Sequence, residues 1–136
     1  MPYDHIAVCL DASPEAGEAA LREAAALRPA RLSLVHVAVP PRLAGYSRWE
    51  PPQAQTFAVE AREWLQGVAE TVPGAEPVLL IGDRPAHRVV AWAREAGCDL
   101  IVSASHDDAA ERLGFGGFAR HLAHHAPCPV LLARPG

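Results

Sequence analysis

The chain has 136 residues, half of them hydrophobic, which predicts one domain over residues 1–136 with a core that needs no metal or disulfide. Its formal net charge of −4 offers no overall field for a polyanion to follow, so we expect no nucleic-acid partner. All twelve basic residues are arginine, which excludes a Walker-type phosphate lysine, a Schiff-base lysine and a lysine general base, because arginine stays protonated.

Five short apolar runs predict β-strands, since a strand buried on both faces of a parallel sheet is almost continuously hydrophobic. In chain order they are residues 5–10, 32–39, 75–81, 99–103 and 130–133. Helix-forming stretches separate them, with Ser13 as an N-cap before the first and Gly97 as the C-cap of the third. These helices are predicted at residues 14–28, 53–72, 85–96 and 118–125.

Alternating strands and helices predict a doubly wound α/β fold, with helices on both faces of one parallel sheet. Such sheets bind ligands outside the carboxyl ends of the strands, where the strand order reverses. Asp11, which ends the first strand, and residues 103–107 are therefore candidates for a ligand site. The Asp11 carboxylate is placed either to accept a ribose hydroxyl or hold a cation, or to cap the next helix.

Several motifs that suggest chemistry fail on spacing. Ser13 has no G-x-S-x-G environment and is interpreted as a helix cap. The glycines of residues 114–117 do not form G-x-G-x-x-G, although the N–H groups of Gly116 and Gly117 precede a predicted helix and are able to receive an anion. We therefore assign no catalytic residue.

His121, His124 and His125 have the three- and four-residue spacings of a metal pair on a helix. Because no nearby cysteine or acid completes a tetrahedral set, we interpret them as a solvated helix end and assign no metal. The three cysteines are far apart and are expected to be buried hydrophobes.

No run of about 18 apolar residues spans a bilayer, and residues 1–5 lack the features of a signal peptide, so a cytoplasmic protein without a membrane partner is expected. The loop at residues 40–52, with Tyr46 and Trp49, is either a lid, a partner-binding surface or a mobile segment.

Four segments of the sequence are distinctive, and the last is the most specific: residues 7–13 (AVCLDAS), 34–37 (LVHV), 82–85 (GDRP) and 125–132 (HAPCPVLL). In these segments the sequence resembles the universal stress protein family, and the resemblance covers essentially the whole chain. The resemblance implies the strand order 3-2-1-4-5, a role in stress tolerance, and a homodimer formed through the last strand with Val130, Leu131 and Leu132.

Some members of that family bind ATP through a stretch of the form G-x-x-G-x9-G-(S/T). Here Ala104 and Asp107 stand at the first two glycines, and the final pair falls on Gly116 and Gly117 or on Gly117 and Phe118, without a hydroxyl. Carried over residue by residue, the family's ligand site falls on Asp11, Val37, Ala104, Ser105, His106, Gly116, Gly117 and Phe118. Ala104 and Asp107 resist the close approach of backbone to phosphate, and Asp107 with Asp108 adds negative charge.

We therefore expect a binding or signalling protein that keeps the adenosine end of the pocket, Asp11 and Val37, while ATP or AMP with Mg²⁺ binds weakly or not at all. One alternative is a working ATP binder or slow ATPase, since backbone N–H groups at a helix start need no particular side chain. Another is an interaction module for an unknown protein partner, with the pocket plugged by Phe115, Phe118 or the loop of Tyr46 and Trp49.

Overall fold

The computed structural model of the chain describes residues 3–11, 14–40, 51–104 and 117–134, with the backbone alone for residues 14–16 and 51–56. Five strands and four helices alternate within these residues. They are β1 (His5–Cys9), α1 (Pro14–Ala26), β2 (Arg31–Ala38), α2 (Pro51–Glu70), β3 (Ala75–Ile81), α3 (Pro85–Ala96), β4 (Leu100–Ala104), α4 (Gly117–His125) and β5 (Val130–Ala133).

The five strands form one parallel sheet in the order β3-β2-β1-β4-β5, which confirms the predicted topology. β1 lies at the centre, where Val8 pairs with Leu34 of β2 on one side and with Val102 of β4 on the other. The chain leaves β1 toward β2 and later returns to β4 across the sheet. The strand order therefore reverses beside β1, as a doubly wound sheet requires.

Alternate residues of the strands enter two separate cores, because successive side chains of a strand point to opposite faces. From β1, Ile6 and Val8 pack toward α1 and α2, whereas Ala7 and Cys9 pack toward α3 and α4. Helices thus cover both faces of the sheet, which explains why the strand sequences are apolar without alternation.

Helix ends follow local backbone chemistry. Gly97 ends α3 as predicted, in a left-handed conformation with φ of 73°, and its N–H donates to the carbonyl of Ala93. The predicted end of α1 at Arg28 was wrong by two residues: the helix stops at Ala26, and Arg28 itself has φ of 48°. The start of α2 at Pro51 lies two residues before the predicted one, since proline needs no N–H partner in a first turn.

Polar contacts hold the amino end of the sheet together. The buried His5 ring lies with Nε2 2.7 Å from the hydroxyl of Ser33, and its other nitrogen lies 3.8 Å from the sulfur of Cys98. These partners satisfy polar groups that the core would otherwise leave unpaired. Among the described residues, none of the helices combines the length and apolar character that crossing a lipid bilayer demands.

Candidate functional site

A cavity of about 270 Å³ opens at the carboxyl ends of the three central strands, beside the reversal of strand order. Residues of β1, β2 and β4 form its floor, and the amino-terminal parts of α3 and α4 form its walls. Its lining consists of Cys9, Leu10, Asp11, Val35, His36, Val37, Pro85, Val89, Ser103, Ala104, Phe118 and Ala119. The sequence predicts a ligand site at this end of the sheet, outside the carboxyl ends of the strands.

Four of the predicted site residues meet in this cavity: Asp11, Val37, Ala104 and Phe118. Gly117, the first residue of α4, lines an adjoining cleft of about 340 Å³ that shares Pro85 and Phe118 with the cavity. The remaining predictions, Ser105, His106 and Gly116, lie outside the described residues, as do Ser13, Asp107 and residues 41–50 of the predicted loop.

The cavity combines an apolar interior with a charged rim. Val35 and Val89 are almost fully buried at its base, while the Asp11 side chain is exposed where β1 gives way to the segment before α1. Ser103 adds a buried hydroxyl next to the end of β4. An apolar slot with few polar groups at its edge suits a flat ring system carrying hydroxyls.

His36 fixes the rim on the β2 side. Its Nδ1 lies 2.8 Å from the Leu10 carbonyl, and since a carbonyl only accepts, Nδ1 carries the proton. The N–H of Leu10 in turn donates to the carbonyl of Val35 at 2.8 Å. The His36 ring also stands edge-on against Trp64 of α2, with 4.8 Å between the ring centroids. Both the N–H and the carbonyl of Leu10, the residue before Asp11, are thus held by β2.

Sequence reasoning missed the contribution of α3. Pro85 and Val89 reach the cavity because α3 starts directly after β3 and packs back across β2, a placement that requires the strand order to be known. His36 was also missed, although its position next to Val37 near the end of a strand was a usable signal. Ser103 belongs to the segment that the switch-point argument selected.

Two positions of the family's glycine pattern have ordinary backbones. Ala104 is the last residue of β4, paired with Ala133, and among the described residues Arg28 alone is a non-glycine with positive φ. A Cβ added to Gly117 would meet no atom within 4 Å. Neither position itself requires glycine for its conformation.

Histidines gather on the outer side of α3 and α4. His121 is half-buried and its ring lies 3.9 Å from that of His87, so the interpretation as a wholly solvated helix end holds for His124 and His125 but not for His121. Packing of α4 against α3 creates this contact, which spacing along one helix does not reveal. Within the described residues, no group of three metal-ligand side chains has an arrangement able to hold a metal ion.

The cysteines are free thiols, and two of the three are buried, as expected. Burial, with smaller contributions from Cys98 and Cys128, raises the pKa of Cys9 to about 12. Burial likewise raises the pKa of Cys98 to about 11 and raises that of the half-buried Cys128. Although Cys9 lines the cavity, it stays protonated and is a poor nucleophile there.

The fold and the cavity together define a doubly wound α/β protein with a small-molecule pocket at its topological switch point. A model described as the universal stress protein family matches residues 2–134. The chain therefore belongs to the universal stress protein family.

Solved structures agree with this assignment. A protein from the universal stress protein family of Burkholderia pseudomallei is 29% identical, with 98% of this chain and 97% of that chain covered and a TM-score of 0.72. A universal stress protein from Archaeoglobus fulgidus in complex with dAMP is 24% identical, with 98% and 99% covered and a TM-score of 0.63. A family protein from Arabidopsis thaliana with AMP bound is 16% identical, with 98% and 92% covered and a TM-score of 0.70. The last two, below 25% identity, show the shared fold.

Proposed function

We propose that this chain is a binding protein of the stress response whose cavity takes the adenosine part of an adenine nucleotide and retains a triphosphate only weakly. The observation that carries the proposal is the cavity itself, which brings Asp11, Val37 and Phe118 together at the switch point. Proteins of the same fold have been solved with AMP and with dAMP.

The size and chemistry of the cavity support a nucleoside-sized occupant. Its volume of about 270 Å³ lies just below the range for pockets of drug-sized ligands, about 300–1,000 Å³, which favours a small occupant. The buried valines, Val35 and Val89, offer the flat apolar contact that a purine ring needs. Asp11 stands at the rim, where a carboxylate accepts hydrogen bonds from ribose hydroxyls.

The weak hold on a triphosphate follows from side chains at the phosphate end. Gly117 supplies no hydroxyl at the start of α4, and Ala104 replaces the first glycine of the family's pattern. Asp107 and Asp108 add two negative charges in the segment between β4 and α4. Like charges about 4 Å apart repel by about 1 kcal/mol even in water.

The proposal is for binding rather than catalysis. The lining of the cavity in the described part of the chain contains one carboxylate, Asp11, and the chain has no lysine. The one cysteine in the lining, Cys9, is held as a neutral thiol. A neutral thiol lacks the activation that a catalytic nucleophile needs.

Calorimetric titration at alkaline pH tests the proposal, with adenosine, AMP, and ATP plus Mg²⁺ as the three ligands. We expect adenosine and AMP to bind with similar affinity and ATP to bind no more tightly than AMP. Micromolar binding of ATP together with much weaker binding of adenosine would refute the weak hold on the triphosphate. Failure of all three ligands at millimolar concentration would favour an interaction module instead.

A matched pair of variants on α4 locates the site. Ala119 lines the cavity and Ala123 is exposed on the same helix. Ala119→Phe should fill the cavity and abolish adenosine binding, whereas Ala123→Phe should leave it unchanged. Equal adenosine affinity in the two variants would place the ligand elsewhere.

A further inference from the structure

A second concave surface lies between the outer faces of α3 and α4, beyond the cleft at Gly117 that adjoins the cavity, and it shares His87 and His121 with that cleft. We call it the histidine groove; it has a volume of about 410 Å³ and is lined by His87, Val90, Ala91, Arg94, His121 and His125. None of these residues lines the cavity at the strand ends. Four of the six carry bases, and none carries a carboxylate, so the described lining becomes strongly positive when its histidines are protonated.

Three imidazole rings stack in a column across the histidine groove. The centroids of His87 and His121 are 3.9 Å apart with 31° between the ring planes, and those of His121 and His125 are 4.4 Å apart with 35° between the planes. Rings this close are compatible with neutral imidazoles. Three imidazolium ions at these distances would repel one another in the absence of a counter-ion.

Arg84 defines the protonation state of the first ring. Its Nη2 lies 2.8 Å from Nε2 of His87, and because a guanidinium only donates, Nε2 is the acceptor and His87 is neutral in this arrangement. Protonation of His87 would break this hydrogen bond. It would at the same time release the Arg84 guanidinium to bind an anion.

His121, at the centre of the column, is surrounded by bases. His87, Arg84 and Arg94 lie on the α3 side, and His124 and His125 belong to α4. Partial burial of the ring, followed by the charges of His87, His125, Arg84 and His124, lowers the pKa of His121. A bound anion would reverse the electrostatic part of this effect, so anion binding and proton uptake are coupled.

We propose that the histidine groove binds a phosphate-type dianion, with His87, His121 and His125 taking up protons from solvent as the anion enters. Arg94 and the released Arg84 supply the permanent positive charge. Binding of the dianion therefore strengthens as the pH falls, until phosphate itself takes up a proton and loses one of its two charges. The site does not depend on the proposed function of the cavity, since inorganic phosphate alone satisfies it.

A transition metal is the other ligand that a histidine cluster suggests, and the geometry opposes it. A metal ion needs the lone pair of a neutral imidazole nitrogen, and the Nε2 lone pair of His87 accepts from Arg84. Arg84 and Arg94 would also repel a cation. The described histidines do not form a three-ligand set of suitable geometry.

The test is an NMR titration of the histidine ring protons against pH, with and without inorganic phosphate. We expect phosphate to raise the pKa of His121. As the pH falls, the affinity calculated from the concentration of the phosphate dianion should increase about tenfold per pH unit for each proton that the protein takes up. Unchanged histidine pKa values in saturating phosphate would overturn the proposal. Binding of Zn²⁺ at micromolar concentration, without any binding of phosphate, would also overturn the proposal.

Two variants of α4 provide a matched comparison. His121→Gln removes the central ring, while His124→Gln removes an exposed histidine that does not line the histidine groove. We expect phosphate affinity at acidic pH to fall at least tenfold in His121→Gln and to change far less in His124→Gln, because His124 is the smallest of the influences on the pKa of His121. Circular dichroism checks that both variants fold. Equal losses in the two variants would show a diffuse attraction of anions and overturn the site. Arg94→Gln should weaken binding across the whole pH range.

AMP and adenosine separate this site from the cavity. In the Ala119→Phe variant, AMP should still shift the histidine resonances at acidic pH through its phosphate, and adenosine should not. If adenosine does not bind the unmodified protein, the proposed function of the cavity is refuted, and the result for phosphate is unaffected. If adenosine binds and phosphate does not, the anion site in the histidine groove is refuted and the proposed function of the cavity stands.

Discussion

The carboxylate of Asp99 organises the start of β1, although it lies 95 residues after Asp4 in the sequence. Its Oδ2 accepts from the N–H of Asp4 at 2.8 Å, and its Oδ1 accepts from the N–H of His5 at 3.0 Å. The bond from Asp4 is the main cause that lowers the pKa of Asp99, against a smaller opposing effect of desolvation. Two backbone donors at the amino end of the central strand are thus satisfied by one side chain.

Asp99→Asn should destabilise the fold by about 1 kcal/mol, at the low end for charged hydrogen bonds because solvent screens this site. Since the folded pKa is lowered, the contribution of the carboxylate is present above the unfolded value near 3.8 and is lost as the pH falls through the folded value. Urea unfolding at neutral and acidic pH measures the difference, with the exposed Asp4→Asn as control. If Asp99→Asn lowers the free energy of unfolding equally at both pH values, the carboxylate of Asp99 does not have this role.

At the scale of the elements, the sequence correctly predicted the strands and the helix cap that depend on local chemistry. The apolar runs of β1 and β4 and the glycine after α3 were predictable because burial on two faces and a left-handed cap each leave a direct sequence signal. The strand order was implied by the family resemblance. Contacts between elements left no such signal: His87 meets His121, and Val89 reaches the cavity, only because α3 packs beside both β2 and α4.

The cap of α3 gives a direct test at this scale. Gly97 has φ of 73°, and a Cβ added there would meet no atom within 4 Å, so Gly97→Ala changes the backbone energy without creating a clash. We expect a loss of about 1 kcal/mol in thermal unfolding. Gly117→Ala is the control, since Gly117 has no positive φ and equal space, and it should be neutral or slightly stabilising. Similar losses in both variants would contradict the conformational explanation.

The whole molecule is a sheet covered on both faces, so its two edges are where backbone pairing is incomplete. β3 and β5 form these edges. Each exposes one large aliphatic side chain to a similar degree, Ile81 at 43% and Leu132 at 45%. Leu131 packs against the core of α1 and α2 and Val130 against the core of α3 and α4, which leaves Leu132 as the free apolar side chain of β5.

We expect the protein to form a homodimer in which β5 pairs with β5 of a second copy about a two-fold axis, because an apolar edge strand without charge invites such pairing. Leu132→Lys places a charge in that interface and should shift the protein toward monomer in size-exclusion chromatography with light scattering. Ile81→Lys introduces the same charge on the opposite edge at nearly equal exposure and should leave the dimer intact. Dissociation by Ile81→Lys alone would move the interface to β3. A monomeric unmodified protein at concentrations of tens of micromolar would show that neither edge is used, and that the exposure of Leu132 is tolerated as an isolated surface residue.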